Sequence, residues 1–204
     1  AAILGPDVTP EQPEFALFIR EVVREMTAKT GQKCTAIRRV VVPRAQEAAV
    51  VAALQTSLAE VRLGDPRSSD KAMGPLVSRA QRDSVRGQIA RLSSEAEIVF
   101  GDPDTCSGDG IDPAQGAFIS PVLLRVKNPM TAQRVHDTEA FGPVATVIAY
   151  DDLDQAIELV GRGEGSLVAS LFTYDRAVAE SVILGIAPYH GRLLIVDRDC
   201  TTES

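Results

Sequence analysis

The segment Val144-Ala145-Thr146-Val147-Ile148-Ala149-Tyr150 constrains this chain more than any other stretch. It is apolar on both of its alternating faces, so the strand it predicts must be covered on both sides, as strands of parallel sheets are. Ile37 to Val42, ended by Pro43, reads as a second buried strand. Leu167 to Thr173 and Leu193 to Val196 read as further strands.

Helical patterns separate these runs. From Pro13 to Lys29 the residues Phe15, Phe18, Ile19, Val22, Val23 and Met26 recur at helical spacing, with Glu21, Arg24 and Glu25 opposite. Ala45 to Val61, Ser78 to Leu92, Leu153 to Val160 and Arg176 to Ile186 are the other helices expected. Ala96 to Phe100 is a short strand, and Phe118 to Val126 is strand-like, with Pro121 implying an edge or irregular strand. The chain should therefore fold as α/β, a largely parallel sheet flanked by helices. No repeat or linker divides it, so residues 1–204 read as one domain. Gly101 to Gly116, rich in Asp, Gly and Pro, is expected to be a surface excursion and the best candidate for disorder.

Composition excludes several function classes. Aromatic residues make up 4% of the chain and Trp is absent, so the core should be built from Val, Leu, Ile and Ala. A net charge of −7 argues against a nucleic-acid or anionic-membrane surface. The Arg38-Arg39 pair flanks a strand and forms no basic stripe. No apolar run approaches the ~18 residues of a membrane span, and Ala1 to Gly5 is no signal peptide. Cys34, Cys106 and Cys200 are too irregularly spaced for a disulfide framework or a zinc site, and a reducing cytoplasm is the expected compartment. No other cluster has metal-ligand spacing, so no metal is expected.

Cys34 carries the chemistry. It sits in Thr30-Gly31-Gln32-Lys33-Cys34-Thr35-Ala36, between the first long helix and the Ile37 strand, with Gly31 expected as a positive-φ residue closing the helix. A thiolate there could attack a carbonyl, and the cysteine's own N–H could stabilise the resulting oxyanion. Lys33 could favour the thiolate if its ammonium lies near, whereas the helix C-terminus would oppose it. A separate general base is therefore expected. The ordinary fate of a free cysteine, a small buried core residue, is the competing reading. A Cys–His hydrolase using His136 or His190, the only histidines, and a non-catalytic interaction domain also remain open.

The wider context resembles one family. Gly31-Gln32-Lys33-Cys34-Thr35-Ala36, then Gly64-Asp65-Pro66, Met73-Gly74-Pro75-Leu76 and Glu139-Ala140-Phe141-Gly142-Pro143, resemble in order the landmarks of the aldehyde dehydrogenase superfamily. Arg20 to Thr27, Ala96 to Pro103, His136 to Glu139 and Ala187 to Arg192 are similar to its branch of bifunctional ring-opening enzymes in bacterial phenylacetate degradation; a sister branch in benzoyl-CoA breakdown has similar segments. The resemblance implies a C-terminal catalytic domain whose dinucleotide-binding domain is absent. It also implies an NADP- or NAD-dependent oxidation of a CoA-linked semialdehyde through a thiohemiacetal and a thioester on Cys34. Glu139 would bind the nicotinamide ribose and Phe141 would pack beside the nicotinamide. Thr27 and Lys29 depart from an aromatic residue and an Asn common in the family, which makes substrate contacts of other branches unsafe to carry over. Both ends look cut, and the family's general base and second oxyanion donor would lie upstream. The whole enzyme is then expected to be a homo-oligomer, while these residues alone should be inactive and hold no coenzyme tightly.

Overall fold

The computed structural model describes residues 1–65, 67, 73–108, 111–112 and 115–202, with no account of the side chains of 201 and 202. Seven strands form one sheet: β1 (Ala2–Leu4), β2 (Arg39–Pro43), β3 (Ala96–Phe100), β4 (Val122–Val126), β5 (Val144–Tyr150), β6 (Ser166–Phe172) and β7 (His190–Val196). Their order is β3-β4-β5-β2-β1-β6-β7, and every pair is parallel except β3 with β4. The helices are α1 (Pro13–Thr27), α2 (Glu47–Ala59), α3 (Arg79–Leu92), α4 (Arg134–Asp137), α5 (Leu153–Gly161) and α6 (Arg176–Ile186).

Alternation along the central strands builds two cores. Val40 and Val42 face α1 and α2, packing with Phe18, Met26, Leu54 and Phe172. Val41, pointing the other way, joins Val85, Ile89, Leu159 and Leu171 beneath α3, α5 and α6. Ala2, Val40 and Leu123 are fully buried, which explains why these runs lack a polar face.

Two expectations need correction. β4 begins after Pro121 and lies inside the sheet, between β3 and β5. Pro121 stands outside the ladder, so its missing N–H removes no strand hydrogen bond and does not force an edge. The core is also not purely aliphatic. Tyr150, Phe18 and Phe172 are among the largest fully buried side chains, and the two Phe rings meet edge to face at 5.2 Å. Tyr150 donates its hydroxyl to the Leu4 carbonyl at 2.7 Å, which lets a polar tip sit in the core. Between 101 and 116 the described residues form no helix or strand. The expectation of disorder there falls partly on Asp109, Gly110, Pro113 and Ala114, which lie outside the described residues, as does Pro66.

Glu14, fully buried near the start of α1, receives Arg198 Nε and Nη2 and the Arg198 N–H at 2.8, 2.8 and 2.9 Å. This ties α1 to the segment after β7. The Arg198 hydrogen bonds hold the Glu14 carboxyl below its ordinary 4.5. Its contribution to stability is thus complete above pH 4.5 and is lost as pH falls through the lowered pKa. In urea unfolding of the purified chain, Arg198→Met should lower the midpoint at pH 7. It should also erase the part of the acid destabilisation below pH 4.5 that belongs to Glu14.

Candidate active site

Cys34 is exposed, on the wall of a cleft of about 350 Å³ that Arg38, His136, Glu139, Leu167 and Val168 also line. The topology explains how residues about a hundred positions apart meet. β2 and β5 are neighbours, with Arg39 opposite Thr146, and the Thr146 N–H donates to the Arg38 carbonyl at 2.8 Å. The cysteine turn leads into β2 and the Glu139–Pro143 turn leads into β5, so both arrive at the amino ends of adjacent strands. Ligands of open parallel sheets usually sit outside the carboxyl ends. This cleft lies at the opposite edge.

The turns touch through their glycines. A Cβ added to Gly31 would stand 2.1 Å from the Gly142 carbonyl oxygen, and Gly31 has φ of 69°. Glycine is thus required there for two independent reasons. The expectation that Gly31 closes α1 is corrected: α1 ends at Thr27, and Lys29, Thr30 and Gly31 form a run of positive φ at 54°, 57° and 69°. A β-branched residue in that region stores roughly 1–3 kcal/mol of strain.

Hydrogen bonds to the 73–77 loop and to α1 hold the strained turn, and one from α3 holds the facing turn. Thr30 Oγ1 donates to the Gly74 carbonyl at 3.0 Å, and the Val77 N–H donates to Gln32 Oε1 at 3.0 Å. Gln81 Nε2, on α3, donates to the Phe141 carbonyl at 2.9 Å. Lys33 Nζ grips both carboxylate oxygens of Glu25 at 2.8 and 2.7 Å. Its ammonium is thereby committed to α1, so the suggestion that it favours the thiolate finds no support.

The Cys34 N–H has no acceptor among the described residues and remains available to an oxyanion. Glu139 has a side chain 62% exposed, and one of its oxygens lies 3.4 Å from Arg38 Nη1. Phe141 is half-buried and does not line the cleft; the Arg38 guanidinium lies over its ring at 5.1 Å. The sequence places Arg38 and Arg39 only at the flank of a strand. A charged pair entering a wholly apolar strand was the signal that one or both would be buried.

Arg39 is buried, donates to the Leu159 and Val160 carbonyls at the end of α5, and meets His136 Nδ1 at 3.2 Å. An arginine can only donate, so Nδ1 accepts and the ring proton sits on Nε2. Burial, with Arg39 and Arg162 nearby, pushes His136 down to about 4. His136 is therefore neutral at pH 7 and already occupied. His190 opens β7 and donates Nδ1–H to the Ile186 carbonyl at 2.9 Å.

Of the other cysteines, Cys106 is half-buried and its thiol is pushed up by that burial, while Cys200 is exposed with Sγ 3.4 Å from Asp197 Oδ1. Among the described residues, no group of three or more His, Cys, Asp or Glu could hold a metal ion, and no helix is long and apolar enough to cross a membrane.

A family model described as "Aldehyde dehydrogenase family" matches residues 9–188. The chain is 48% identical over 198 residues to the 3,4-dehydroadipyl-CoA semialdehyde dehydrogenase of Aromatoleum evansii, covering 97% of this chain and 38% of the relative. Among solved structures, it resembles lactaldehyde dehydrogenase from Escherichia coli with a TM-score of 0.81 and 28% identity, over 95% of this chain and 38% of that one. It also resembles aldehyde dehydrogenase C of Pseudomonas syringae, solved as a mutant with NAD+ and octanal, with a TM-score of 0.80 and 26% identity over 95% and 38% of the two chains. The chain thus spans less than half the length of these relatives.

Two outcomes follow from this geometry. Gly31→Ala should destabilise the purified chain by about 2–4 kcal/mol in urea unfolding, through backbone strain and overpacking against Gly142. Alkylation of Cys34 should follow the same pH profile in the unsubstituted chain and in His136→Gln. A titration step that vanishes in the variant would instead support a Cys–His pair.

Proposed function

Because the chain belongs to the aldehyde dehydrogenase family, we propose that it is the catalytic domain of an enzyme oxidising a CoA-linked semialdehyde, with Cys34 as nucleophile. One observation carries this reading: an exposed cysteine with an uncommitted N–H shares a cleft with the Glu139 carboxylate.

The Cys34 sulfur attacks the aldehyde carbon, and the carbonyl oxygen becomes an oxyanion that the Cys34 N–H stabilises. A nicotinamide coenzyme, when bound, supplies the acceptor for the hydride that leaves this carbon. The exposed Glu139 carboxylate suits the paired hydroxyls of a ribose, and Phe141 lies next to it through Arg38. Hydride loss leaves an acyl thioester on Cys34. Water then adds to the acyl carbon, the C–S bond breaks, and the acid departs as the thiol is restored. The residues 1–204 form one domain in this reading, the general base and the dinucleotide-binding fold belong to the rest of a longer protein, and the coenzyme is NADP or NAD. A reducing cytoplasm suits the free thiols.

The segments similar to the phenylacetate branch favour its CoA semialdehyde, 3-oxo-5,6-dehydrosuberyl-CoA semialdehyde, as substrate. The activity named for the 48% identical relative favours a second reading, 3,4-dehydroadipyl-CoA semialdehyde. Both place a CoA thioester on the aldehyde-bearing chain.

Coenzyme reduction by the full-length enzyme with each CoA semialdehyde is the test. Cys34→Ser should lower kcat/KM about 10³-fold or more. The purified 204-residue chain should give no aldehyde-dependent reduction. Unchanged turnover in Cys34→Ser would remove the basis of the assignment.

A further inference from the structure

We propose that Arg38 is the positioning residue that locks the nucleophile's turn to the coenzyme-side carboxylate Glu139. The inference rests on the reading of Glu139 given above and extends it to a residue outside the cysteine and Glu-x-Phe-Gly-Pro landmarks.

A guanidinium has five N–H donors in a rigid fork. Arg38 makes four hydrogen bonds and one ion pair, and they divide between two segments. Nη2 donates to the Lys33 carbonyl at 2.9 Å and the Gly31 carbonyl at 3.3 Å; Nη1 donates to the Ala36 carbonyl at 3.2 Å. These three acceptors frame Cys34 on both sides in sequence. Toward the other segment, Nε donates to the Ala140 carbonyl at 3.3 Å, and Nη1 forms an ion pair with Glu139 Oε1 at 3.4 Å. The face of the same group covers Phe141.

This side chain is 15% exposed, whereas Glu139 is 62% exposed. The arginine is thus the fixed member and the carboxylate the one it orients. Burial lowers the Arg38 pKa, and the Glu139 and Cys34 groups oppose that shift, which places all three within electrostatic reach. Arg39, one residue on, grips the end of α5 and reaches no carboxylate among the described residues. The division of labour between the two arginines follows from strand alternation. Lysine, with three donors on a single nitrogen, cannot span both segments.

The full-length enzyme provides the test, by calorimetric titration of NADP. The unsubstituted protein is compared with Arg38→Met, Arg38→Lys, Glu139→Gln and the double variant Arg38→Met/Glu139→Gln. Arg38→Met and Glu139→Gln should each weaken binding about tenfold, as loss of one charged hydrogen bond does. The double variant should be no weaker than the weaker single one, because Arg38 acts through Glu139. Effects that multiply in the double variant would overturn the role of Arg38, since a general structural fault adds to any other. Arg38→Lys keeps the charge and stem, so it reads the same effect if Arg38→Met melts early; it should bind several-fold more weakly, and unsubstituted affinity there overturns the proposal. Coenzyme affinity unaltered in Glu139→Gln sinks the reading of Glu139 itself, a failure distinct from multiplying effects, which sink Arg38 alone.

Discussion

The backbone of Gly31 lies against the backbone of Gly142, and the site depends on that approach. It brings the turn carrying Cys34 onto the turn carrying Glu139 and Phe141. The approach exists because each turn feeds one of two adjacent parallel strands, β2 and β5, so that hydrogen-bond register aligns their entrances. A side chain on Gly31 would push the two segments apart before any other group could join them. Arg38 can then bridge segments that the glycines have already placed within one side chain's reach.

The cysteine turn is a strained object held by its surroundings. Three consecutive residues of positive φ, one of them β-branched, would not persist in an isolated peptide. Contacts from Gly74, Val77, Glu25 and Arg38 over-determine the conformation. The result is a cysteine that is exposed and yet fixed, with its own N–H uncommitted. The electrostatics around it are equally specific. Lys33 is spent on Glu25, and His136 is neutral and engaged by Arg39, while Arg38 senses both Cys34 and Glu139.

Much of this was legible in the sequence, for physical reasons. Val144–Tyr150 and Arg176–Ile186 match their expected spans because an unbroken apolar run and a sustained helical period each admit one solution. β4 was misread because a proline one residue outside a strand and one residue inside it look alike in a linear pattern. α4 was missed because its four residues are too short to show a period. The burial of Arg38 or Arg39 is legible, but their partners are not, for a different reason. Most of their acceptors are backbone carbonyls, which every residue carries, so no spacing of side chains announces them. Cys34, Glu139 and the loop at Met73–Leu76 could be named from sequence, but their convergence on one turn is a property of strand order.

The most direct measurement is mass spectrometry of the full-length enzyme, quenched in acid during turnover of a CoA semialdehyde with NADP. The account predicts an acyl adduct on the peptide bearing Cys34, formed only when coenzyme is present and lost on standing as water hydrolyses it. Turnover with no adduct at Cys34, or with the acyl group on Cys106 or Cys200, would contradict it.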